Sequence, residues 1–314
     1  MIEVIRDINK SSPSTKGSVV AIGNFDGVHL GHQALIEIIR KQASTQSVKS
    51  GVLVFEPHPR DFFSKQKQNF KLMTPALRQY KLSKLGLDFV IELPFGNWIA
   101  NMSPIQFVEV VLAKSFGIKH VIIGEDFRFG KNREGNAYIL KDLCKTFGIA
   151  VEIVKIKRID NANISSTNIR KLLEKGKLKA ANDLLGSFHL IRGTVKKGDQ
   201  RGRDLNFPTA NIDFGNCIIP RFGVYASRVK ILGEPNSSFY NGATSIGTRP
   251  TFGENKPNLE VHIFNFDRFI YGMEIDVELN YFIRPELSFN DTETLVEQMK
   301  KDCIEAKIFL DKLK

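Results

Sequence analysis

The spacing of apolar residues changes once along the chain, near residue 186, and this change limits the folds that the chain can adopt. From residue 18 to about 185, short β-rich runs such as SVVAI and GVLVFE alternate with stretches of helical periodicity such as HQALIEIIRKQA. That order predicts an α/β fold, a doubly wound parallel sheet with helices on both faces. Ligands of such sheets bind beyond the carboxyl ends of the strands.

After Gly186 the pattern consists of strands and turns. The predicted strands are separated by Gly, Pro, Asn and Asp and are LIRGTVKKG, FPTANIDF, GVYASRVKIL, NGATSIG, LEVHIFNF and EIDVELNYFI. They predict a small antiparallel β-barrel. The final stretch, TETLVEQMKKDCIEAKIFLDKL, predicts a long amphipathic helix capped by Asp291 or Thr292. We therefore predict two domains, residues 1–185 and 186–314.

The composition is that of a globular protein, and 42% hydrophobic residues are enough for buried cores. No apolar run of the sequence approaches the roughly 20 residues that span a bilayer. The first residues, MIEVIRDINK, lack the apolar stretch of a secretory signal. We therefore expect a cytoplasmic protein with no membrane partner.

Cysteine content and charge limit the partners of the chain. Its three cysteines, Cys144, Cys217 and Cys303, are far apart and form no CxxC pair, which argues against a disulfide framework and a zinc site. The formal charge of +11 would suit nucleic acid, but the lysines are spread along the chain, and a basic surface also attracts polyphosphate substrates. We expect small-molecule substrates and no nucleic acid. Nothing in the sequence indicates an oligomeric state.

The stretch GNFDGVHLGH, residues 23–32, lies between the first apolar run and the first helical stretch. At the end of a strand, the N-terminus of the following helix offers unpaired N–H groups and a positive dipole to an anion. The three glycines would let a phosphate approach the backbone closely. His29 and His32 are three residues apart, so they lie on one face of the first helical turn, where both can donate to phosphate oxygens. The turn is therefore a candidate phosphate-binding site.

Other interpretations of this turn remain open from its residues alone. It has neither the GxGxxG of a dinucleotide site nor the GK[ST] of a P-loop. The two histidines could bind a metal ion, although no third ligand is nearby, or be surface residues of an ordinary turn.

The segment from His29 to His32 resembles the HxGH signature of the nucleotidyltransferase superfamily. The resemblance implies that the histidines stabilise the charge that develops as a nucleophile attacks the α-phosphorus of a nucleoside triphosphate.

A second candidate for phosphate binding is NISSTNIRKLLEKG, residues 163–176. It places Ser165, Ser166 and Thr167 at the start of a predicted helix and Arg170 on its first turn. Hydroxyls, backbone N–H groups and a guanidinium there would suit the outer phosphates of a triphosphate. The alternative is an ordinary Ser/Thr helix cap with a solvated arginine.

The motifs taken together resemble one family, the prokaryotic bifunctional riboflavin kinases/FMN adenylyltransferases, also called FAD synthetases. The resemblance covers nearly the whole chain and rests on GNFDGVHLGHQ, FEPHPRDFF, IIGEDFRFG, ISSTNIR, GRDLNFPTAN, IGTRPTF, LEVH and IRPE. It implies two reactions: riboflavin and ATP give FMN and ADP, and then FMN and ATP give FAD and pyrophosphate. It also implies that the first domain transfers the adenylyl group and that the second is the kinase.

The resemblance assigns roles to residues of the first half by their match to the family motifs. The implied catalytic residues are His29, His32 and Arg170. The implied nucleotide-binding residues are Gly23, Asn24, Phe25, Asp26, Gly124, Asp126, Ser166 and Thr167. The implied flavin-binding residues are Pro57, His58 and Phe62 of FEPHPRDFF. Prolines and phenylalanines there would give an isoalloxazine ring flat apolar walls, although the phenylalanines could equally be core residues.

In the second half, FPTAN places Thr209 and Asn211 two residues apart on a predicted strand, so their side chains face the same way. A hydroxyl and an amide oxygen are hard ligands suited to a Mg²⁺ ion that bridges ATP phosphates. Such a pair alone is more often part of a turn or strand surface. Upstream, KKGDQRGR could close over phosphates as a basic loop, which makes Gly198, Gly202 and Arg203 candidate nucleotide-binding residues; otherwise it is a solvated hairpin.

Glu260 completes the predicted kinase site. In NLEVHIFNF it alternates with Leu259 and Val261, so the carboxylate faces away from the apolar side of the strand. The resemblance implies that this glutamate is the general base for the 5′-hydroxyl of riboflavin. A primary hydroxyl needs a proton acceptor to become a good nucleophile. Without the resemblance, a solvent-facing strand glutamate is the simpler interpretation.

The chain departs from the family pattern at several positions. Ser187 stands where arginine is common, Asn206 where the family has glycine, and Asn163 where a basic residue is frequent; Asn265 lies in IFNF, which replaces LLDF. No predicted catalytic or metal-ligating residue is replaced. We therefore expect these changes to affect substrate affinity and the relative rates of the two activities.

Two alternative functions remain open from the sequence. One module could have lost its activity, or the protein could be a flavin-sensing regulator that binds RNA through its basic surface. The retained catalytic residues argue against the first alternative. The absence of a basic, aromatic RNA-binding stripe argues against the second.

Overall fold

The computed structural model describes residues 2–9, 12–64, 69–155, 158–159, 162–198, 202, 205–234, 238–248 and 257–313. Contacts between Cα atoms divide the chain into two compact units. One comprises Met1–Gln68 and Pro75–Ser165, and the other Asn69–Thr74 and Ser166–Lys314. This division falls 20 residues before the boundary that the sequence pattern places between residues 185 and 186. The domain boundary therefore remains a prediction.

The first unit alternates strands and helices, as the sequence predicts. In chain order, its elements are β1 (Glu3–Ile5), β2 (Val19–Ile22), α1 (Leu30–Thr45), β3 (Ser50–Glu56), α2 (Pro59–Phe63), α3 (Pro75–Lys84), β4 (Phe89–Pro94), α4 (Asn97–Ala100), α5 (Pro104–Gln106), β5 (His120–Gly124), β6 (Arg128–Phe129), β7 (Gly135–Asn136), α6 (Ala137–Thr146), β8 (Ala150–Val154), β9 (Arg158–Ile159) and β10 (Ala162–Asn163).

Six of these strands form one parallel sheet in the order β1-β4-β3-β2-β5-β8, which confirms the predicted α/β class. Successive residues of a strand point to opposite faces. Val19 and Val20 of β2 are both fully buried, so both faces of the sheet are covered. The chain runs from β2 to β3 on one side and later reaches β5 on the other. The carboxyl ends of β2 and β5 therefore form the topological switch point, where such sheets bind ligands.

A π-helix lies between α5 and β5. The short α5 continues as a π-helix over Phe107–Ser115. Val108, Val111 and Leu112 of this segment are fully buried in the core on one face of the sheet.

The second unit contains α7 (Ser166–Glu174), α8 (Leu178–Leu185), β11 (His189–Thr194), β12 (Ala210–Ile212), β13 (Gly223–Ile231), β14 (Tyr240–Gly247), β15 (Asn258–Ile263), β16 (Glu274–Pro285) and α9 (Thr292–Asp311). Its strands form an antiparallel sheet in the order β11-β16-β13-β14-β15-β12. Beyond β11, the Lys196 N–H donates to the Asn211 carbonyl at 2.9 Å and so joins the two edge strands. The sheet thereby curls into the predicted small barrel.

The C-terminal helix α9 forms where the sequence predicts it. Asp291 is its N-cap, and the carboxylate accepts a hydrogen bond from the Thr294 N–H at 2.8 Å. Ala306 and Leu310 pack against the alanines of β13 and β14. No helix within the described residues is both long enough and apolar enough to cross a membrane. The three cysteines, all in the described part of the chain, are free thiols.

Candidate functional site

The turn after β2 brings its two histidines into contact. His29 is the N-cap of α1, and its ring Nδ1 accepts a hydrogen bond from the His32 N–H at 3.3 Å. The rings stack with their centroids 3.6 Å apart and their planes inclined by 14°. The predicted helix thus begins two residues earlier than its apolar pattern suggests, because a histidine ring serves as its cap.

The backbone of this turn is strained. Phe25 and Val28 have φ angles of +51° and +46°. These values lie in the left-handed region, which a β-branched residue such as valine rarely enters. Both side chains are buried, so packing holds the conformation. A Cβ at Gly31 would lie 3.2 Å from the His29 ring, which explains the glycine of HLGH. Strain of this kind is concentrated at functional sites.

Two polar atoms of the turn point to a ligand. Among the described residues, neither Asn24 Oδ1 nor His32 Nδ1 has a hydrogen-bond partner, although both atoms are buried. Burial, together with repulsion from His29, holds the pKa of His32 well below its ordinary value. Buried polar atoms normally have a partner, so a ligand with hydrogen-bonding groups would complete this turn.

The other two predicted segments of the first unit follow the neighbouring strands. Ala21 of β2 pairs with Ile122 of β5, so Gly23 and Gly124 end their strands at the same level. Asp126 follows as an exposed residue. The segment FEPHPRDFF follows β3, on the other side of β2. All three segments therefore meet at the carboxyl edge of the sheet around the switch point.

The segment after β3 presents aromatic side chains. His58 caps α2, and its Nδ1 accepts a hydrogen bond from the Arg60 N–H at 3.0 Å. Phe62 makes edge-to-face contacts with Phe63 and Phe95, with centroids 5.2 and 5.4 Å apart. Phe63 is 66% exposed. Pro57 precedes this cluster, which offers apolar surface for a flat ring system.

A buried charge network supports this edge, and the sequence analysis did not find it. Arg78 of α3 is 6% exposed and Glu92 of β4 is 3% exposed. The Arg78 Nη2 donates to Glu92 Oε1 at 3.0 Å and to Glu56 Oε2 at 3.2 Å, just before the aromatic segment. Burial raises the pKa of Glu92, but hydrogen bonds from Gln79 and Arg78 and the charges of Arg78 and Arg6 bring it below its ordinary value.

The residues of ISSTNIR belong mostly to the second unit. Ser166 and Thr167 are the first two residues of α7, as the sequence predicts. The Arg170 Nε donates to the Phe70 carbonyl at 2.6 Å, and its guanidinium lies 5.2 Å from the Phe70 ring centroid. Asn163 is exposed in β10 of the first unit.

In the barrel, three predicted residues share one hydrogen-bonded cluster. Thr209 lies one residue before β12, and its hydroxyl donates to Glu260 Oε2 at 3.2 Å. Asn211 of β12 lies directly opposite Glu260 of β15. Asn258 of β15, which the sequence analysis missed, donates to both Glu260 and Asn211. Its position two residues before Glu260 was the available signal, because both side chains face the same way.

The KKGDQRGR segment approaches this cluster closely. A Cβ at Gly198 would lie 2.5 Å from the Asn211 amide nitrogen, so a side chain there would displace the Asn211 amide. The Gly202 carbonyl accepts a hydrogen bond from the Phe207 N–H at 2.6 Å. Arg203, the third candidate of this segment, lies outside the described residues.

The structure explains two of the departures from the family pattern. Asn206 and Asn265 have φ angles of +64° and +53°. Asparagine tolerates this left-handed conformation better than most residues, so it can stand where a glycine or an aspartate is usual. Ser187 is exposed just before β11, and nothing in its surroundings explains the change from arginine.

The donor set in the barrel fits Mg²⁺ better than a transition metal. Within the described part of the chain, no group of three or more His, Cys, Asp or Glu side chains could hold a metal ion. The Thr209 hydroxyl hydrogen is directed at Glu260, which leaves oxygen lone pairs for a cation. The Asn211 amide oxygen is a second hard donor atom of the kind that Mg²⁺ prefers.

Comparisons with known proteins agree with both halves of this description. The FAD synthetase family model matches residues 11–168, and the riboflavin kinase model matches residues 185–310. A bifunctional riboflavin kinase/FMN adenylyltransferase of Haemophilus influenzae is 36% identical over 310 residues, which are 99% of this chain and 100% of that protein. The Listeria monocytogenes protein of the same name is 38% identical over 98% of this chain and 94% of its own length.

The chain belongs to the bifunctional riboflavin kinase/FMN adenylyltransferase family. A crystal structure from Streptococcus pneumoniae, described as a macrolide-efflux protein, matches with a TM-score of 0.83 and 31% identity, over 96% of this chain and 97% of that chain. The family resemblance inferred from the motifs is therefore confirmed. The two family models leave residues 169–184 between them, which include most of α7 and α8.

Proposed function

We propose that the chain makes FAD from riboflavin in two ATP-dependent steps, a phosphorylation that gives FMN and an adenylyl transfer that gives FAD. The observation that carries this proposal is that each half, matched by its own family model, has a cluster suited to its reaction. The first cluster is the histidine turn at the sheet edge. The second is the hydrogen-bonded cluster of Thr209, Asn211 and Glu260.

In adenylyl transfer, a phosphate oxygen of FMN forms a bond to the α-phosphorus of ATP, and the bond to the departing pyrophosphate breaks. His29 and His32, at the N-terminus of α1, donate hydrogen bonds to the oxygens that gain charge. Asn24 and the backbone around Gly23 hold the same phosphate. This assignment gives partners to the two buried atoms of the turn that the described residues leave unpaired.

The remaining candidates of the adenylyl-transfer site have supporting roles in the proposal. Ser166, Thr167 and Arg170 hold the outer phosphates of ATP through hydroxyls, helix N–H groups and a guanidinium. Phe25, Asp26, Gly124 and Asp126 line the nucleotide site. Pro57, His58 and Phe62 hold the isoalloxazine ring of FMN, which the aromatic cluster after β3 supports.

In the kinase reaction, the 5′-oxygen of riboflavin forms a bond to the γ-phosphorus of ATP, and ADP leaves. Glu260 takes the proton of the 5′-hydroxyl. Thr209 and Asn211 hold a Mg²⁺ ion, which supplies charge neutralisation and alignment of the phosphate oxygens when bound. Gly198, Gly202 and Arg203 cover the phosphates of ATP.

One incubation tests the whole proposal. The purified protein is mixed with riboflavin, ATP and Mg²⁺, and riboflavin, FMN and FAD are separated by chromatography. FAD is the expected product. If FMN is the only product, the protein has kinase activity and no adenylyltransferase activity. If neither FMN nor FAD forms, the flavin-sensing regulator is favoured. Omission of Mg²⁺ with excess chelator should stop FMN formation.

The partners of the protein, its location and the assignment of each activity to a domain are also proposals. The substrates are small molecules, and the spread of lysines along the sequence supports a protein that binds no nucleic acid. A cytoplasmic location is part of the same proposal. We further propose that residues 1–185 and 186–314 carry the adenylyltransferase and the kinase.

A further inference from the structure

Asn258 contacts two of the groups on which the proposed kinase reaction depends. Its side-chain nitrogen lies 3.1 Å from Glu260 Oε1 and 3.3 Å from Asn211 Oδ1. An amide nitrogen carries two hydrogens, so it can donate to both oxygens at once. One side chain thus links the proposed base to a proposed metal ligand.

The barrel fixes where this amide can lie. Asn258 and Glu260 lie two residues apart on β15 and face the same way. Asn211, on the neighbouring β12, is paired directly with Glu260, and Asn258 is paired with Gly247 on its other side. Glycine opposite Asn258 presents no side chain across that pair. The strand register therefore places the Asn258 side chain on the same face as Glu260 and near Asn211.

We infer that Asn258 is a positioning residue for riboflavin phosphorylation, which keeps the Glu260 carboxylate and the Asn211 amide oxygen at a fixed separation. The inference rests on the proposed kinase function. Asn258 is only half-buried, so water could satisfy the same two oxygens if hydrogen bonding were the sole requirement. Water would not hold them in one arrangement, and misplacement of catalytic groups slows enzymes sharply.

Other groups around Glu260 limit the size of the effect. The Thr209 hydroxyl also donates to the carboxylate, and Ser245 of β14 lies opposite it. His262 lies two residues along β15 on the same face, with its Nδ1 2.9 Å from the Pro208 carbonyl oxygen. Because the Thr209 contact remains when Asn258 is changed, we expect a partial loss of rate.

The test uses the full-length chain with Asn258→Leu, which removes both donors, and Asn258→Asp, which keeps the shape but replaces the nitrogen by oxygen. Asn290→Asp makes the same chemical change at an exposed position of the same unit and is the matched control. Both Asn258 variants should lower kcat for FMN formation about 10- to 100-fold. The KM for riboflavin should stay within about twofold. Adenylylation of supplied FMN should be unchanged.

A binding measurement gives a readout that does not depend on turnover. Calorimetric titration with ADP, with and without Mg²⁺, should show that Asn258→Leu reduces the gain in affinity that Mg²⁺ brings. If wild type forms FMN while both Asn258 variants keep kcat within threefold and the Mg²⁺ gain is intact, the positioning role is wrong. A parallel fall in FMN adenylylation would also overturn it, because that pattern indicates a folding defect. If wild type itself forms no FMN, the proposed kinase function fails, and this inference fails with it.

Discussion

His29 and His32 stack ring on ring, 3.6 Å between centroids, at the start of the helix that follows the central strand. Two imidazoles in this contact cannot both carry a charge at low cost, and burial adds to the penalty. The pKa of His32 is accordingly well below its ordinary value. In the absence of a ligand, His32 therefore offers a neutral imidazole to the site.

This contact predicts a pH dependence of stability. The folded chain resists protonation of His32, whereas the unfolded chain takes up a proton near pH 6.5. The contribution of His32 to stability is therefore present above that pH and lost as the pH falls below it. Melting temperatures measured between about pH 7.5 and 5.5 should fall more for wild type than for His32→Asn. Parallel curves would show that His32 does not titrate in this way.

His32→Ala should separate the two activities. The change removes one hydrogen-bond donor from the proposed adenylyl-transfer site, which should slow FAD formation from FMN about a hundredfold. Riboflavin phosphorylation by the same preparation serves as the internal control and should be unaffected. Equal loss of both activities would instead indicate misfolding or a shared site.

Glu260→Gln should do the reverse. The amide keeps the size of the side chain and can still accept from the Thr209 hydroxyl, but it is no base. We expect kcat for FMN formation at saturating ATP and Mg²⁺ to fall roughly 10²- to 10⁴-fold, with much smaller changes in binding. FMN adenylylation is again the control. A rate within threefold of wild type would remove Glu260 from the mechanism.

Arg78→Met should destabilise the first unit. It removes the buried guanidinium from Glu92 Oε1 and leaves this buried carboxylate with the more exposed Arg6 as its remaining ion-pair partner among the described residues. Loss of one member of a buried pair costs up to about 3–5 kcal/mol. The matched control is Lys49→Met, because Lys49 pairs with Asp88 at the surface, where solvent screens the pair and its loss should change stability little. Urea unfolding followed by circular dichroism measures both variants. If the two variants lose similar amounts of unfolding free energy, burial of the Arg78 pair does not add to stability.

Separate expression of the C-terminal part tests the domain boundary. We expect a fragment of residues 186–314 to fold. A fragment of residues 166–314 should melt at a higher temperature, because the Asn182 amide of α8 donates to the Leu279 carbonyl of β16. A 186–314 fragment without β-structure by circular dichroism would place the boundary earlier, nearer Ser166.

The order of elements was predictable because it depends on short-range periodicity. The sequence predicted the strand ending at Ile22, the helix that follows His32 and the C-terminal helix from Thr292, and the structure contains all three. The edge strand β1, of three residues, was missed because so short a run has no measurable period. Motif spacing identified the histidine turn as a candidate, and the family resemblance identified Glu260.

Long-range contacts between polar side chains were beyond the sequence analysis. Arg78 and Glu92 come together only because α3 and β4 fold against each other, and neither belongs to a recognisable motif. Asn258 contacts both Asn211 and Glu260 only because β12 and β15 pair in one register, with Asn211 opposite Glu260. A shift of one residue would turn these side chains to opposite faces. Pairing register therefore carries information that composition and spacing do not.

The hydrogen bond from the Lys196 N–H to the Asn211 carbonyl has a consequence for assembly of the kinase half. This hydrogen bond joins the two edge strands of the sheet, and its acceptor belongs to Asn211, the residue proposed to hold Mg²⁺. A molecule in which the other strands are paired but this hydrogen bond is absent would have near-native secondary structure and no metal-binding geometry. Phosphorylation of riboflavin would then report that the barrel has closed, which secondary structure alone does not.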